Sequence, residues 1–100
     1  MFYIYFIYSD NYNKYYIGFT QNIEKRLAQH NSNDNKHSFT AKLKPWRLVA
    51  NFAVGDSKQD AMKVERFIKK QKSKQFNLKI IHSSKNKAFI DKLINDILLK

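Results

Sequence analysis

The fold of this chain is decided between residues 2 and 20, where FYIYFIY (2–8) and YYIGFT (15–20) flank the polar run SDNYNK (9–14). Both apolar runs mix aromatic with β-branched residues and are too short for a helix, so each predicts a strand. The turn-forming residues between them lie at hairpin spacing, which predicts an antiparallel pair. Because side chains alternate between the two faces of a strand, the residues that share one face of each strand can be read from the sequence. These faces hold Tyr3, Tyr5 and Ile7 on the first strand, and Tyr16 and Gly18 on the second.

A helix is expected directly after the second predicted strand. Thr20 or Asn22 suits the cap of a helix over residues 21–29, because a side-chain oxygen there accepts hydrogen bonds from free backbone amides. On such a helix, Arg26 and His30 lie one turn apart on the same side. The Arg26 guanidinium is then within reach of the sheet face that holds the tyrosines.

The rest of the chain predicts one more strand and several helices. One helical turn is expected over residues 39–43, and residues 46–54 have strand character that suits a third strand beside the hairpin. A helix over 57–71, an extended segment over 76–82 and an amphipathic helix over 84–100 follow. The predicted fold class is therefore α+β, with a three-stranded antiparallel sheet flanked by helices.

The helix predicted over residues 57–71 turns a carboxylate toward the core. At helical spacing, Ala61, Val64 and Ile68 fall on one apolar arc, and Glu65 falls inside that arc. An inward carboxylate is costly unless it is paired, protonated or bound to a metal. One interpretation is an ion pair with an arginine or a lysine. The other is a Mg²⁺ site, since this ion keeps several waters and needs few protein ligands.

Arg26 and His30 each have two interpretations. Arg26 suits the charge that builds on phosphate oxygens in a transition state, but it also suits an ion pair with Glu65 or the surface of a basic protein. His30 is a candidate to share a proton or bind phosphate, and its alternative is a polar residue at a helix end. The six tyrosines are also ordinary strand formers and amphipathic core residues.

The charge balance favours a polyanionic partner. A net charge of +11, from 19 basic and 8 acidic residues, attracts phosphate backbones, although a lysine-rich composition is also typical of AT-rich genomes.

The absence of cysteine excludes disulfides and thiolate metal sites and favours a cytoplasmic location. No stretch approaches the roughly 20 apolar residues of a membrane span, so no membrane partner is expected. A glycine-rich phosphate loop is also missing.

Two motifs in the predicted hairpin resemble the signature of the GIY-YIG nuclease family. Tyr3-Ile4-Tyr5 stands in the place of G-I-Y, and Tyr16-Ile17-Gly18 is the Y-I-G motif in full. The similarity is greatest to the small stand-alone bacterial members, which are related to the catalytic domain of the excision-repair incision nuclease. Two departures are visible: Tyr3 replaces the glycine, and Phe19 stands where the repair nucleases have a lysine.

Four further segments resemble the same family, in the same order. Residues 22–30 are similar to its first helix, which has an arginine and, four residues later, a histidine or tyrosine. Residues 44–49 are similar to the entry to its third strand. Residues 61–65 match the helix that bears the metal-binding glutamate, and Asn77 falls at the position of a late asparagine.

The resemblance implies a metal-dependent nuclease that hydrolyses nucleic-acid phosphodiester bonds, in DNA repair or processing. It implies a nuclease domain over residues 1–82, and residues 83–100 are expected to form a C-terminal amphipathic helix packed on that domain. One Mg²⁺ or Mn²⁺ ion would be bound by Glu65. The implied catalytic residues are Tyr5, Tyr16, Arg26, His30, Glu65 and Asn77.

Two other functions stay open on the sequence alone. One is a non-catalytic nucleic-acid-binding module with the same fold. The other is a basic protein that docks on another protein, which requires an exposed apolar stripe on the terminal helix. DNA is the expected nucleic acid rather than RNA, and a monomer is the expected state. The candidate nucleic-acid-binding residues are basic side chains along the chain: Lys14, Lys25, Lys36, Lys42, Lys44, Arg47 and Lys69.

Overall fold

The computed structural model describes residues 1–32 and 39–99, and it has a three-stranded antiparallel sheet at its centre. The strands are β1 (Phe2–Ser9), β2 (Lys14–Thr20) and β3 (Arg47–Gly55). β1 is the middle strand and pairs antiparallel with both neighbours, in the order β2-β1-β3. The predicted α+β class and its antiparallel sheet are confirmed.

The register of the hairpin groups the side chains as the alternation predicts. Tyr5 lies opposite Gly18, and Ile7 lies opposite Tyr16. Asn13 has a left-handed backbone conformation, with φ of 51°, in the turn between the strands. Asparagine tolerates this conformation better than most residues, which suits it to the turn.

Helices flank the sheet. They are α1 (Ile23–Asn31), α2 (Phe39–Leu43), α3 (Lys58–Gln71), α4 (Lys74–His82) and α5 (Lys87–Leu98). Asn22 is the N-cap of α1, where its side chain accepts a hydrogen bond from the Lys25 amide. Ser57 caps α3 in the same way through the Asp60 amide.

The extended segment predicted over residues 76–82 is wrong, because these residues belong to α4. The Ser73 side chain accepts a hydrogen bond from the Phe76 amide and so caps a helix at this point. Phe76 and Ile80 are one helical turn apart, and both pack against the main core. The segment is therefore a helix despite its strand-like composition, because the helix lets both Phe76 and Ile80 pack against the core.

The two faces of the sheet have different partners. Ile4, Phe6 and Ile17 pack against buried residues of α3, α4 and α5, and together they form the main core. Tyr5 and Ile7 point to the opposite face, where they pack with residues that follow β2 in the chain. Those residues are Leu27 on α1, Leu43 on α2 and Trp46 before β3. The tyrosine face is thus enclosed by α1 and α2.

The terminal helix α5 turns its isoleucines into the main core. Ile90, Ile94 and Ile97 are at most 7% exposed and pack in the same cluster as the sheet. The apolar stripe that a docking function requires is therefore buried on this helix. Within residues 1–32 and 39–99, we find no helix with both the length and the apolar character needed to cross a membrane.

Candidate active site

Tyr5, at the centre of the site, lies on the middle strand with 2% of its surface exposed. Its ring passes directly over Gly18 on the neighbouring strand. A Cβ atom at residue 18 would lie 2.5 Å from Cζ of Tyr5 and 2.9 Å from Cε1. The glycine of the Y-I-G motif therefore leaves the space that the tyrosine ring occupies.

Gly18→Ala is expected to destabilise the fold, because a methyl group there overlaps the buried Tyr5 ring. Overpacking of this kind typically costs about 1 to 3 kcal/mol, which a lower melting temperature would report. Gly55→Ala is the control, since a Cβ at residue 55 meets no atom within 4 Å and only the φ of 147° opposes it. Gly18→Ala alone should alter the tyrosine signal in near-ultraviolet circular dichroism. An unchanged signal and melting temperature would contradict the close approach.

A buried histidine connects Tyr5 to α2. His30 Nε2 lies 2.8 Å from the Tyr5 hydroxyl oxygen, and Nδ1 lies 2.9 Å from Oγ1 of Thr40. Burial, helped by the Arg26 charge, lowers the pKa of His30 to about 4, so the imidazole is neutral near pH 7. A neutral imidazole donates through one nitrogen and accepts through the other. The three side chains thus form a hydrogen-bonded chain that either tautomer of His30 can complete.

Arg26 lies at the outer end of this chain, on α1. Its Nε–H donates to the Tyr5 hydroxyl at 3.4 Å, and Nη1 donates to Oε1 of Gln29 at 3.1 Å. Burial raises the pKa of Tyr5, although the Arg26 guanidinium partly offsets this effect. Tyr5 is therefore protonated near neutral pH and acts as a hydrogen-bonding group rather than as a base.

Glu65 borders the same region from α3. Its side chain is 19% exposed, and the nearest cation is Lys69 Nζ, one turn later, at 3.6 Å from Oε1. Of the two ion-pair partners that the sequence allows, the described residues show the lysine and not Arg26. The Lys69 side chain is 43% exposed, and a long pair in such a position contributes little stability.

Lys69 also connects Glu65 to the second tyrosine. Its Nζ lies 4.9 Å from the centre of the Tyr16 ring, within range of a cation–π contact. On its other side, Tyr16 makes edge contacts with His30 and Trp46, at ring-centre distances of 5.1 and 6.3 Å. Lys69 is thus a cation that lies beside the tyrosine of the Y-I-G motif.

The donor set around Glu65 suits a cation that retains most of its waters. Among the described residues, the polar contact seen for Glu65 is the long ion pair with Lys69, so its carboxylate oxygens remain accessible to a cation. No cluster of three or more histidine, cysteine or acidic residues occurs among those residues. One carboxylate with several waters is a normal environment for Mg²⁺, whereas a structural zinc site needs more protein ligands.

Asn77 lies on α4, and the contacts found for it do not join it to the Tyr5 network. Its Oδ1 is buried and accepts no hydrogen bond from the part of the chain that the structure describes. A buried acceptor without a hydrogen bond costs free energy of folding. The Oδ1 atom of Asn77 is therefore suited to accept a hydrogen bond from a bound molecule.

The candidate nucleic-acid-binding residues differ in their surroundings. Lys14, Lys25 and Lys42 are exposed. Arg47 forms an ion pair with Asp10 at 2.9 Å, which reduces its availability for phosphate. Lys44 Nζ donates to the Ser32 carbonyl at 3.4 Å, and Lys36 lies outside the described residues.

The sequence did not predict Thr40 as part of the site. It lies in a polar segment, and nothing in its spacing from His30 indicates a contact. The structure buries it at 3% exposure, and Trp46 Nε1 fixes its backbone by donating to its carbonyl oxygen at 2.8 Å. Asn31 in turn holds the Trp46 backbone through hydrogen bonds of 2.6 and 3.0 Å. A tryptophan after Pro45 was the only signal that this loop is anchored.

Comparison with known proteins identifies the family of this chain. Residues 1–79 match the model of the GIY-YIG catalytic domain. A UPF0213 protein of Lactococcus lactis subsp. cremoris (strain SK11) is 36% identical over 85 residues, covering 85% of this chain and 82% of that protein. A UPF0213 protein from the ldhD 5' region of Pediococcus acidilactici is 36% identical over 61 residues, 60% of this chain and 61% of its own. The chain belongs to the GIY-YIG family.

Proposed function

We propose that this protein is a nuclease that hydrolyses phosphodiester bonds of nucleic acid with the help of one divalent metal ion. The observation that supports this best is the contact between Arg26 and the hydroxyl of Tyr5. The exposed Arg26 side chain does not need this hydrogen bond to Tyr5 for the stability of the fold. The Arg26 guanidinium, held beside the Tyr5 hydroxyl, is instead suited to binding a phosphate.

In the proposed reaction, a water molecule attacks phosphorus and the bond to one bridging oxygen breaks, which leaves one phosphate end and one hydroxyl end. Arg26 stabilises the charge that builds on the phosphate oxygens. Tyr16 orients the water or accepts its proton, while Tyr5 and His30 hold hydrogen bonds around it. Asn77 supports the tyrosine contacts through its unpaired Oδ1, which accepts from a hydroxyl group, or the phosphate contacts through Nδ2, which donates.

Glu65 would bind one Mg²⁺ or Mn²⁺ ion. When bound, such an ion polarises the scissile phosphate and stabilises the leaving oxygen. The partly buried carboxylate, whose polar contact among the described residues is the long ion pair with Lys69, supports this role. Lys69 would compete with the ion for the carboxylate, because its Nζ lies 3.6 Å from Oε1.

The family resemblance and the charge of +11 support a nucleic-acid substrate, and we propose DNA rather than RNA, in repair or processing. Exposed lysines among the candidate set would contact phosphates without reading bases.

A cytoplasmic location suits a chain without cysteine. We propose a monomer as the active state and the C-terminal helix as part of the same domain.

One observation favours a second candidate function, a nucleic-acid-binding module that does not cut. Lys69 gives Glu65 a counter-ion without any metal. In that case the carboxylate and lysine form only a structural pair. Cleavage assays on labelled DNA and RNA in Mg²⁺, Mn²⁺ or EDTA separate the two functions, because only the nuclease forms metal-dependent products.

Thr40→Val is expected to lower kcat about tenfold and leave KM nearly unchanged. The valine has almost the shape of threonine but removes the hydroxyl that holds His30 Nδ1, so the imidazole no longer has a fixed position beside Tyr5. Thr40→Ser keeps the hydroxyl and should retain most of kcat. Equal activity of the serine and valine variants would show that Thr40 only fills space.

A further inference from the structure

The outer side of α2 presents an exposed aromatic residue between two lysines. Phe39, the first residue of this helix, is 55% exposed. Together with Leu43, Lys42 and Lys14 it lines an open cavity of about 350 Å³. The two lysines form no ion pair with a residue in the described ranges. The cavity is thus lined by two apolar and two positively charged side chains.

This combination matches the chemistry of a nucleotide. A nucleobase stacks on an aromatic ring, and the phosphates beside it pair with ammonium groups. The cavity, of about 350 Å³, is large enough for one base. An acidic peptide would use the lysines but has no flat group for the ring. The charge of +11 also favours a polyanion.

The same helix connects this face to the candidate active site. On its inner side, Thr40 is hydrogen-bonded to His30, while Leu43 both lines the cavity and packs against the cluster of Tyr5, Ile7 and Trp46. A helix with its side chains is about 10 to 12 Å across, so the two sides of α2 are close to each other. A strand with one base on the outer side is therefore near enough to reach the tyrosine face with a neighbouring nucleotide.

We propose that Lys14, Phe39, Lys42 and Leu43 form a subsite for one unpaired nucleobase of the substrate. In a duplex both faces of each base are stacked, so a base reaches Phe39 only from a single strand, an end or an extruded position. The substrate class is then nucleic acid with an unpaired base beside the cleaved bond. The role in cleavage rests on the proposed function, whereas base binding does not.

The test is equilibrium binding in EDTA, where no cleavage occurs, to a labelled single-stranded oligonucleotide and to the same sequence as a duplex. Phe39→Ala should weaken single-strand binding roughly 5- to 150-fold, the factor for loss of one base stack, and leave duplex binding nearly unchanged. Phe39→Trp should retain binding. Leu48→Ala is the matched control, since Leu48 is another exposed apolar residue, on β3, and its loss should change neither affinity.

The lysines give a second measurement on the same oligonucleotides. Lys42→Gln and Lys14→Gln should each reduce the salt dependence of single-strand binding by about one phosphate contact. DNA and RNA versions of the strand distinguish the two sources of the base. Unchanged single-strand affinity of Phe39→Ala, or an equal loss on the duplex, would overturn the subsite. If nothing is cut in Mg²⁺ while the Phe39 effect persists, the subsite stands and the nuclease function fails.

Discussion

Glu65→Gln is expected to lose metal-dependent cleavage by at least about 10²-fold, the scale for loss of one electrostatic group at a reaction centre. The neutral amide keeps the shape of the side chain but is a far poorer ligand for a hard dication. Nucleic-acid affinity should change little, because the exposed lysines that we propose as phosphate contacts are not substituted. Steady-state cleavage in Mg²⁺ and binding in EDTA measure the two effects on the same protein.

The stability of this variant separates a metal ligand from a structural ion-pair partner. The only pair seen for Glu65 among the described residues is with the half-exposed Lys69, so the expected loss is less than about 1 kcal/mol. Glu24→Gln is the matched control, since it makes the same chemical change at an exposed position of α1. A strongly destabilised Glu65→Gln protein that still cuts in Mg²⁺ would contradict the metal assignment.

Arg26→Ala is expected to reduce cleavage about 10²- to 10³-fold while the protein stays folded. Arg26 is exposed and donates hydrogen bonds to Tyr5 and Gln29. The core does not require either of these two hydrogen bonds. The contribution we propose for Arg26 is to the transition state, so kcat should fall with a smaller change in KM. Arg26→Lys should rescue only in part, since an ammonium lacks the planar fork that binds two phosphate oxygens.

Arg66→Ala provides the comparison for this result. Arg66 is exposed on α3, and its removal lowers the net charge by the same amount. It should weaken nucleic-acid binding slightly and leave kcat unchanged. Near-native turnover of a folded Arg26→Ala protein, or equal losses in both variants, would remove Arg26 from the mechanism.

The sheet was predictable because its signals are local. The runs over residues 2–8 and 15–20 are each too short and too rich in β-branched and aromatic residues to be helical, and the alternation fixes their faces. The segment over 76–82 was not predictable in this way. Phe76, Leu78 and Ile80 alternate with polar residues, a pattern that suits a strand, whereas Phe76 and Ile80 alone also suit one side of a helix. The cap at Ser73 and packing against the core decide between them.

The candidate site was predictable where one helix determines a direction, and not where separate elements meet. Helical spacing predicted that Glu65 lies beside buried residues, and its side chain is 19% exposed. Spacing along the chain does not say which cation approaches it, and the structure has Lys69 rather than Arg26. Thr40 escaped prediction for the same reason, because its contact with His30 depends on how the loop before β3 is anchored by Trp46.

The proposed cleavage of nucleic acid with a metal at Glu65 is tested most directly by a cleavage assay with a matched inactive control. Wild-type protein and Glu65→Gln, purified in parallel, are incubated with end-labelled single-stranded, duplex and branched DNA and with RNA, in Mg²⁺, Mn²⁺ or EDTA. We expect products from the wild-type protein in metal only, and none from Glu65→Gln under any condition. Equal products from both proteins, or no product from the wild-type protein on any substrate in either metal, would contradict the claim.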